Sequence, residues 1–348
     1  MDSGSDMNAK QVAARAHTNI ALIKYWGKRD EELYLPTSTS LSLTLDALYT
    51  DTKVCFDEHV SQNSLFLNGQ AQDEKSTAKI SRVIELFRQR YEVPDAPHIR
   101  VESYNHVPTA AGLASSSSGF AALAFALRAL FEQTYDRQGS MSDVELSTFA
   151  RRGSGSATRS IFGGFVEWAY GTGSEDSVAV PVDDANWDIA MVLAAVSTDK
   201  KKISSTYGMK HTMATSAFYP LWRQASEGDL AKVRAGIRQR DIDVIGAAME
   251  ANCMKFHATM FAAEPPITYL TARSFEIIEF VHHMRAEGLS AYYTMDAGPN
   301  VKILCRRSDQ ALIHARLAEQ FPWLTLFDAR PGSAPEMLSA QTWSKLYG

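Results

Sequence analysis

Cysteine is scarce in this chain of 348 residues: Cys55, Cys253 and Cys305 stand far apart and form no C-x-x-C pair. That argues against a metal cluster or a disulfide framework and fits a reducing, cytoplasmic compartment. An excess of positive charge is also missing, since 35 Lys and Arg face 40 Asp and Glu, for a formal net charge of -5. Such a chain has no global attraction for nucleic acid or an anionic membrane, so an anionic ligand needs a local basic cluster. Long apolar runs are absent too. The longest, Phe120 to Phe131, is broken by Arg128 and is too short to span a bilayer. Met1 to Lys10 are polar, carry no signal-peptide core, and are expected to be disordered. No internal repeat or low-complexity tract is visible, and no loop ends in the Gly-Lys-Ser/Thr of a Walker A motif.

What is present is ordinary globular material, 45% apolar and 22% charged, and long enough for two domains. Period-two alternation predicts a strand over Thr39 to Leu45, with Thr52 to Asp57 as its neighbour. Asn68-Gly69 after Leu65-Phe66-Leu67 predicts a tight hairpin, and Ile80, Val83, Ile84 and Phe87 mark one helix face. Further strands are expected over His98 to Val107, Phe165 to Tyr170 and Asp188 to Val196, with a helix over Gly119 to Gln133. Ser142 and Glu145 predict a capping box. Beyond about residue 195 long helices dominate, over roughly 212–227, 241–263 and 268–287. Strands at Ser290 to Met295 and Val301 to Cys305, a helix at Gln310 to Gln320 and a last strand at Leu324 to Phe327 complete the pattern. Strands and helices mix without regular βαβ alternation, so the class is α+β. The expected domains are 11–190 and 191–348.

The most informative segment is Pro108-Thr109-Ala110-Ala111-Gly112-Leu113-Ala114-Ser115-Ser116-Ser117-Ser118-Gly119, set between a strand and an apolar helix. Small side chains let a ligand approach the backbone, and the free N–H groups of a first helical turn with four hydroxyls form a phosphate cradle. The helix dipole adds only ~0.3–1 kcal/mol per charge at an exposed end, so affinity must come from the summed hydrogen bonds. A well-capped helix is the plain alternative, but capping needs one serine, not four in a row.

Four other segments carry chemistry-bearing residues. Ala16 to Lys28 is an apolar strand ending in Lys24-Tyr25-Trp26-Gly27-Lys28. Its lysines and aromatic rings suit a multiply charged anion, although Trp26 could equally serve the core. Arg151 to Ser160 exposes backbone at Ser154, Gly155, Ser156, Ala157 and Thr158, and offers the planar fork of Arg159 to a carboxylate or phosphate. Asp296 stands just after a strand and before Gly298-Pro299, a position that by itself usually reads as structural. Lys200 to Met209 adds the hydroxyls of Ser205 and Thr206. Asn252 and His257 share a helix and read as packing residues.

These segments carry a resemblance. Pro-x-x-x-Gly-Leu-Ala-Ser-Ser is similar to the ATP-binding motif of the GHMP kinase superfamily. The strings around Lys24, Arg159, Ser205 and Asp296 resemble, in order, the signatures of diphosphomevalonate decarboxylases. The resemblance implies a GHMP kinase fold, with an N-terminal part like domain 2 of ribosomal protein S5 and a ferredoxin-like C-terminal part. It implies ATP and Mg²⁺ as cofactors, a homodimer, and no nucleic-acid or membrane partner. It assigns catalysis to Asp296, Lys24 and Arg159, and substrate binding to Asn19, Tyr25, Trp26, Gly27, Lys28, Ser154, Gly155, Ser156, Ala157, Thr158, Arg159, Ser205 and Thr206. It assigns ATP binding to Pro108, Ala111, Gly112, Leu113, Ala114, Ser115, Ser116, Ser117 and Ser118. No metal ligand is assigned beyond Ser116 or a neighbour as a candidate. The implied reaction is ATP-dependent decarboxylation of 5-diphosphomevalonate to isopentenyl diphosphate. The alternatives left open are a phosphomevalonate decarboxylase, a mevalonate kinase of the same fold, and a non-catalytic nucleotide or metabolite sensor.

Overall fold

A computed structural model describes residues 11–106, 115–197 and 202–348. The described chain opens with β1 (Gln11–Ile23), a small ribbon of β2 (Lys28–Asp30) and β3 (Leu35–Pro36), and the long β4 (Ser40–Asp57). Then come β5 (Ser64–Leu67), β6 (Gln70–Ala71), α1 (Glu74–Tyr91), β7 (His98–His106), α2 (Ser115–Thr134) and α3 (Asp143–Gly153). A 3-10 segment, Gly155–Ile161, precedes β8 (Phe165–Trp168), β9 (Ala179–Asp183) and β10 (Ala190–Ala195). Four helices follow: α4 (Ser205–Thr215), α5 (Tyr219–Gln239), α6 (Ile242–Phe261) and α7 (Ala272–Ala286). The chain ends with β11 (Ala291–Thr294), β12 (Val301–Cys305), α8 (Gln310–Gln320), β13 (Thr325–Ala329), β14 (Glu336–Leu338) and α9 (Ala340–Tyr347).

The first sheet runs β14-β1-β4-β7-β5-β6, with β8 also on β4 and β9 on β8; the second runs β11-β12-β10-β13. On one side of the first sheet, Val12, Ala14 and Val54 bury against Val83 and Phe87 of α1, Ala122 and Leu127 of α2 and Leu146 of α3. A second core joins the sheets, with Ile20, Leu22, Leu41 and Leu43 packed among Met191 and Leu193 of β10 and Ile245 and Met249 of α6. The expected α+β class is what the chain adopts. The shared core brings the end of β1 against the second sheet, and the functional groups meet there.

Local expectations mostly hold for identifiable reasons. Asn68 and Gly69 take φ of 50° and 77°, the left-handed pair a two-residue hairpin needs. The Ser142 hydroxyl accepts the Glu145 N–H at 3.1 Å, worth about 1 kcal/mol, but the Glu145 carboxylate pairs with Arg90 at 2.6 Å, so only half the capping box forms.

Other expectations need correction. The two strands expected over 39–45 and 52–57 are one strand, β4, carried through a bulge in which Leu45 faces Thr18 and Tyr49 faces His17. Arg330 braces that bulge, its N–H donating to Asp46 Oδ1 at 2.7 Å while the Asp46 N–H donates to the Arg330 carbonyl at 2.9 Å. The helix expected over 212–227 is two helices, α4 and α5; Pro220 lacks an N–H and is accommodated in the first turn of α5. β9 was not anticipated, because Val180, Pro181 and Val182 form an exposed edge strand with no apolar alternation. Nor is the strand near 324–327 the last. β14 returns to pair with β1, Ala13 facing Leu338, and α9 stacks Tyr347 on Tyr104 at 4.0 Å. The Tyr347 hydroxyl donates at 2.7 Å to Asp51, a fully buried carboxylate also gripped by Arg15 at 2.8 and 2.7 Å.

Candidate active site

The site forms where β1 ends against the second sheet. Lys24 follows the last residue of β1, and its backbone N–H donates to the Asn252 side chain on α6 at 2.9 Å. Asn252 is itself tied to Ser226 and Asp229 of α5, so α5 and α6 fix the position at which the strand stops. The Lys24 ammonium, 2% exposed, donates to the Ala21 carbonyl at 2.9 Å and to Asp296 Oδ1 at 2.7 Å. Asp296 lies between β11 and β12, and its Oδ2 meets the Lys302 ammonium at 3.0 Å. The carboxylate is 33% exposed while Lys302 is 4% exposed, so the acid is the accessible member of the cluster. Burial pushes the Asp296 carboxyl upward, but the two ammonium groups outweigh it and hold the acid well below the usual carboxylate range.

Arg159 is within electrostatic range of Asp296. The 3-10 segment buries its guanidinium to 2% exposure. Its Nη1 donates to Ser40 Oγ at 2.5 Å and its Nε to Asn19 Oδ1 at 3.3 Å. Asn19 in turn donates to the Ser156 carbonyl at 2.9 Å and to Ser160 Oγ at 2.8 Å. Burial pulls the Arg159 pKa down to about 10, against the opposing pull of Asp296 and Tyr25, and the group remains charged at neutral pH. Tyr25 packs on Trp168 at 4.7 Å, and its buried hydroxyl has no hydrogen-bond partner among the described residues. A Cβ on Gly155 would sit 2.7 Å from the Tyr25 ring, so glycine at 155 is what lets these segments meet. Gly27, at φ +138°, allows the Tyr219 hydroxyl to approach and donate to the Trp26 carbonyl at 2.7 Å.

The remaining expected site residues divide. Ser154 Oγ reaches Ser116 Oγ at 3.3 Å, joining the 3-10 segment to the start of α2. Ser118 Oγ is held within the fold by Thr50 at 2.8 Å and Thr18 at 3.1 Å, and Ser117 is buried, which leaves Ser116 as the exposed one of the serine side chains described there. Trp26 turns into an aromatic cluster with Phe256 and Tyr269, as a core residue would. Ala157 is buried in the helical core, and the Thr158 hydroxyl donates to the Gly155 carbonyl at 2.8 Å. Lys28 lies over the Tyr34 ring at 3.6 Å. Ser205 and Thr206 open α4, with Thr206 exposed. Pro108, Ala111, Gly112, Leu113 and Ala114 lie outside the described residues, as do Lys200 and Lys201.

Sequence reasoning gave no role to Lys302 or Ser40. Lys302 had a signal, being the one charged residue in the strand Val-Lys-Ile-Leu-Cys, where every residue is buried. Ser40 had none.

His257 on α6 is 1% exposed, and burial followed by the nearby Lys24 charge pulls its pKa down to about 3. Neutral His257 therefore stabilises the fold fully above its ordinary value of 6.5, and that contribution fades as pH falls from 6.5 toward about 3, because only the unfolded chain gains the proton. In urea unfolding between about pH 7 and about pH 5, His257→Asn is expected to lose less stability on acidification than the unchanged protein; equal losses would remove His257 as the cause.

With this geometry in place, comparison with known proteins gives a consistent result. Residues 16–179 match a sequence model described as the diphosphomevalonate decarboxylase-like N-terminal domain, and residues 191–342 match one described as the mevalonate 5-diphosphate decarboxylase C-terminal domain. The chain is 38% identical over 334 residues to the diphosphomevalonate decarboxylase of Homo sapiens, covering 89% of this chain and 80% of that protein. It is 39% identical over 342 residues to that of Ganoderma lucidum, covering 91% of this chain and 83% of the relative. Among solved structures, mevalonate diphosphate decarboxylase from Staphylococcus aureus superposes with TM-score 0.89 at 42% identity, covering 95% of this chain and 98% of that one. A complex of MDDEF with MVAPP, AMPPCP and magnesium superposes with TM-score 0.87 at 43% identity, covering 95% and 100%.

Proposed function

Because the chain belongs to the diphosphomevalonate decarboxylase family, we infer that it catalyses the ATP-dependent decarboxylation of (R)-5-diphosphomevalonate to isopentenyl diphosphate, ADP, phosphate and carbon dioxide. The observation that carries the reading is one accessible carboxylate, Asp296, held between buried Lys24 and Lys302 and within electrostatic range of the buried guanidinium of Arg159.

The reaction has two bond-breaking stages. The substrate's tertiary 3-hydroxyl oxygen bonds to the γ-phosphorus of ATP as the bond to ADP breaks. The hydroxyl proton is accepted or oriented by Asp296, and Lys24 stabilises negative charge on the transferring group. The new phosphate ester then leaves with its C–O electron pair. The bond to the carboxyl carbon breaks, its electrons form the carbon–carbon double bond, and carbon dioxide departs. Arg159, braced by Asn19 and Ser40, grips the carboxylate so that this bond aligns with the leaving group; such positioning is worth up to ~7–11 kcal/mol. In this reading Tyr25, Lys28 and the Ser154 to Thr158 backbone hold the diphosphate tail, and Ser116 with the first N–H groups of α2 meets the nucleotide phosphates.

Among the described residues no group of three or more His, Cys, Asp and Glu could hold a metal, and Asp296 is already paired with two lysines. The donor set therefore fits Mg²⁺ carried by the nucleotide's own phosphates, with the Ser116 hydroxyl as the protein contact. Bound there, it would neutralise phosphate charge. No described helix is long and apolar enough to cross a membrane. We place the protein in the cytoplasm, a reading supported by its three free cysteines, two of them buried.

The test is release of ADP, phosphate and carbon dioxide from ATP with mevalonate, its 5-phosphate and its 5-diphosphate. Equal amounts of all three products are expected with the diphosphate alone. ADP without carbon dioxide, or carbon dioxide from the monophosphate only, would overturn the reading.

A further inference from the structure

We propose that Lys302 is a positioning residue for this reaction, locking the Asp296 carboxylate through Oδ2 so that Oδ1, shared with Lys24, faces the substrate alcohol. The proposal deepens the decarboxylase reading above and rests on it. Lys302 occupies an unfavourable place. It sits in β12 with a strand on either side, opposite Thr294 of β11 and Leu193 of β10. Every residue of that strand is buried. A lone ammonium there would be expensive, and its partners are Asp296 Oδ2 at 3.0 Å and the Asn300 carbonyl at 3.3 Å. A strand that only needed packing would carry an apolar residue at 302.

The geometry explains the second lysine. The torsion that turns a carboxylate is soft and nearly two-fold, so one cation leaves the plane of the acid free to rotate. Cations on both oxygens, from β12 on one side and the end of β1 on the other, fix that plane. When Lys24 turns to the transferring phosphoryl group, Lys302 remains as the partner that holds the Asp296 carboxylate in place while it meets the hydroxyl proton. Among the described residues, the other titratable groups within electrostatic range of Asp296 are Arg159, neutral His257 and the Cys253 thiol. None of them is bonded to Oδ2 in place of Lys302. Without Lys302, the burial that raises the Asp296 pKa is opposed by Lys24 with only distant help from Arg159.

The experiment measures carbon dioxide release against pH for the unchanged protein, Lys302→Met, Lys302→Gln and Lys302→Arg, with thermal melts to establish folding. Lys302→Met and Lys302→Gln are expected to lower kcat ~10–100-fold while the KM for ATP stays within about twofold, the scale of a misplaced reacting group. Their acid limb should move to higher pH, and Lys302→Arg should recover part of both effects. Should Lys302→Met fail to fold, Lys302→Gln, nearer to lysine in polarity, decides the matter. Unchanged kcat and acid limb in a folded neutral variant would overturn the proposal alone. No carbon dioxide from the unchanged protein would overturn the decarboxylase reading and the proposal with it.

Discussion

Asp296→Asn is expected to lower kcat by ~10²–10⁴-fold while leaving ATP binding within a few-fold of normal, the range over which positioned acid–base groups act. The substitution keeps the shape of the side chain and removes its charge. Lys24 and Lys302, each buried, then lose the counter-charge that pays for their burial. A carboxylate held far below its ordinary range is a poor proton acceptor in the resting site. Its proton affinity is expected to rise when the Lys24 ammonium turns from Oδ1 toward the phosphoryl group, with Lys302 still on Oδ2, which would couple proton acceptance to phosphoryl transfer. Steady-state kinetics with a separate measurement of nucleotide affinity checks this. Near-normal turnover in a folded Asp296→Asn protein would exclude the carboxylate from the chemistry.

The second large effect is expected at Arg159. Arg159→Ala should reduce kcat/KM for 5-diphosphomevalonate by ~10²–10³-fold, with a much smaller change in ATP affinity. Truncating one member of a buried, charge-assisted network typically costs 2–5 kcal/mol, about that range. Here the loss also strands Asn19 Oδ1 and Ser40 Oγ and opens a cavity beneath the 3-10 segment. Lys cannot replace the planar fork, so Arg159→Lys should recover little of the loss. The informative readout is the ratio of carbon dioxide to ADP, which should fall if the guanidinium aligns the carboxylate for departure. An unchanged ratio with unchanged kcat/KM would remove Arg159 from the substrate site.

Much of this was legible in the sequence because the relevant signals are local. The Asn68-Gly69 turn, the α1 stripe of Ile80, Val83, Ile84 and Phe87, and the bounds of α8 follow from spacing and turn chemistry alone. The segments bearing Lys24, Arg159 and Asp296 were recognisable through their resemblance to the decarboxylase signatures, whereas Asp296 by itself read as structural. What stayed hidden is tertiary. The continuity of β4 depends on a bulge braced by Arg330, nearly three hundred residues away. The return of β14 to β1 and the docking of α9 through Tyr347 and Asp51 have no local signature. In the site, the bonds of the Ser118 hydroxyl to Thr18 and Thr50 have no local signature. Lys302 was visible only as a charge out of place in an apolar strand. Its partner could be named only once β11 and β12 were brought to opposite sides of the Asp296 turn.

The convergence of Asp296, Lys24 and Arg159 on one substrate is tested most directly by a crystal structure with 5-diphosphomevalonate bound. The expected electron density has the 3-hydroxyl within hydrogen-bond reach of Asp296, the carboxylate on Arg159, and the diphosphate toward Lys28 and the Ser154 to Thr158 backbone. A ligand bound elsewhere, or reversed so that its diphosphate meets Asp296, would contradict it.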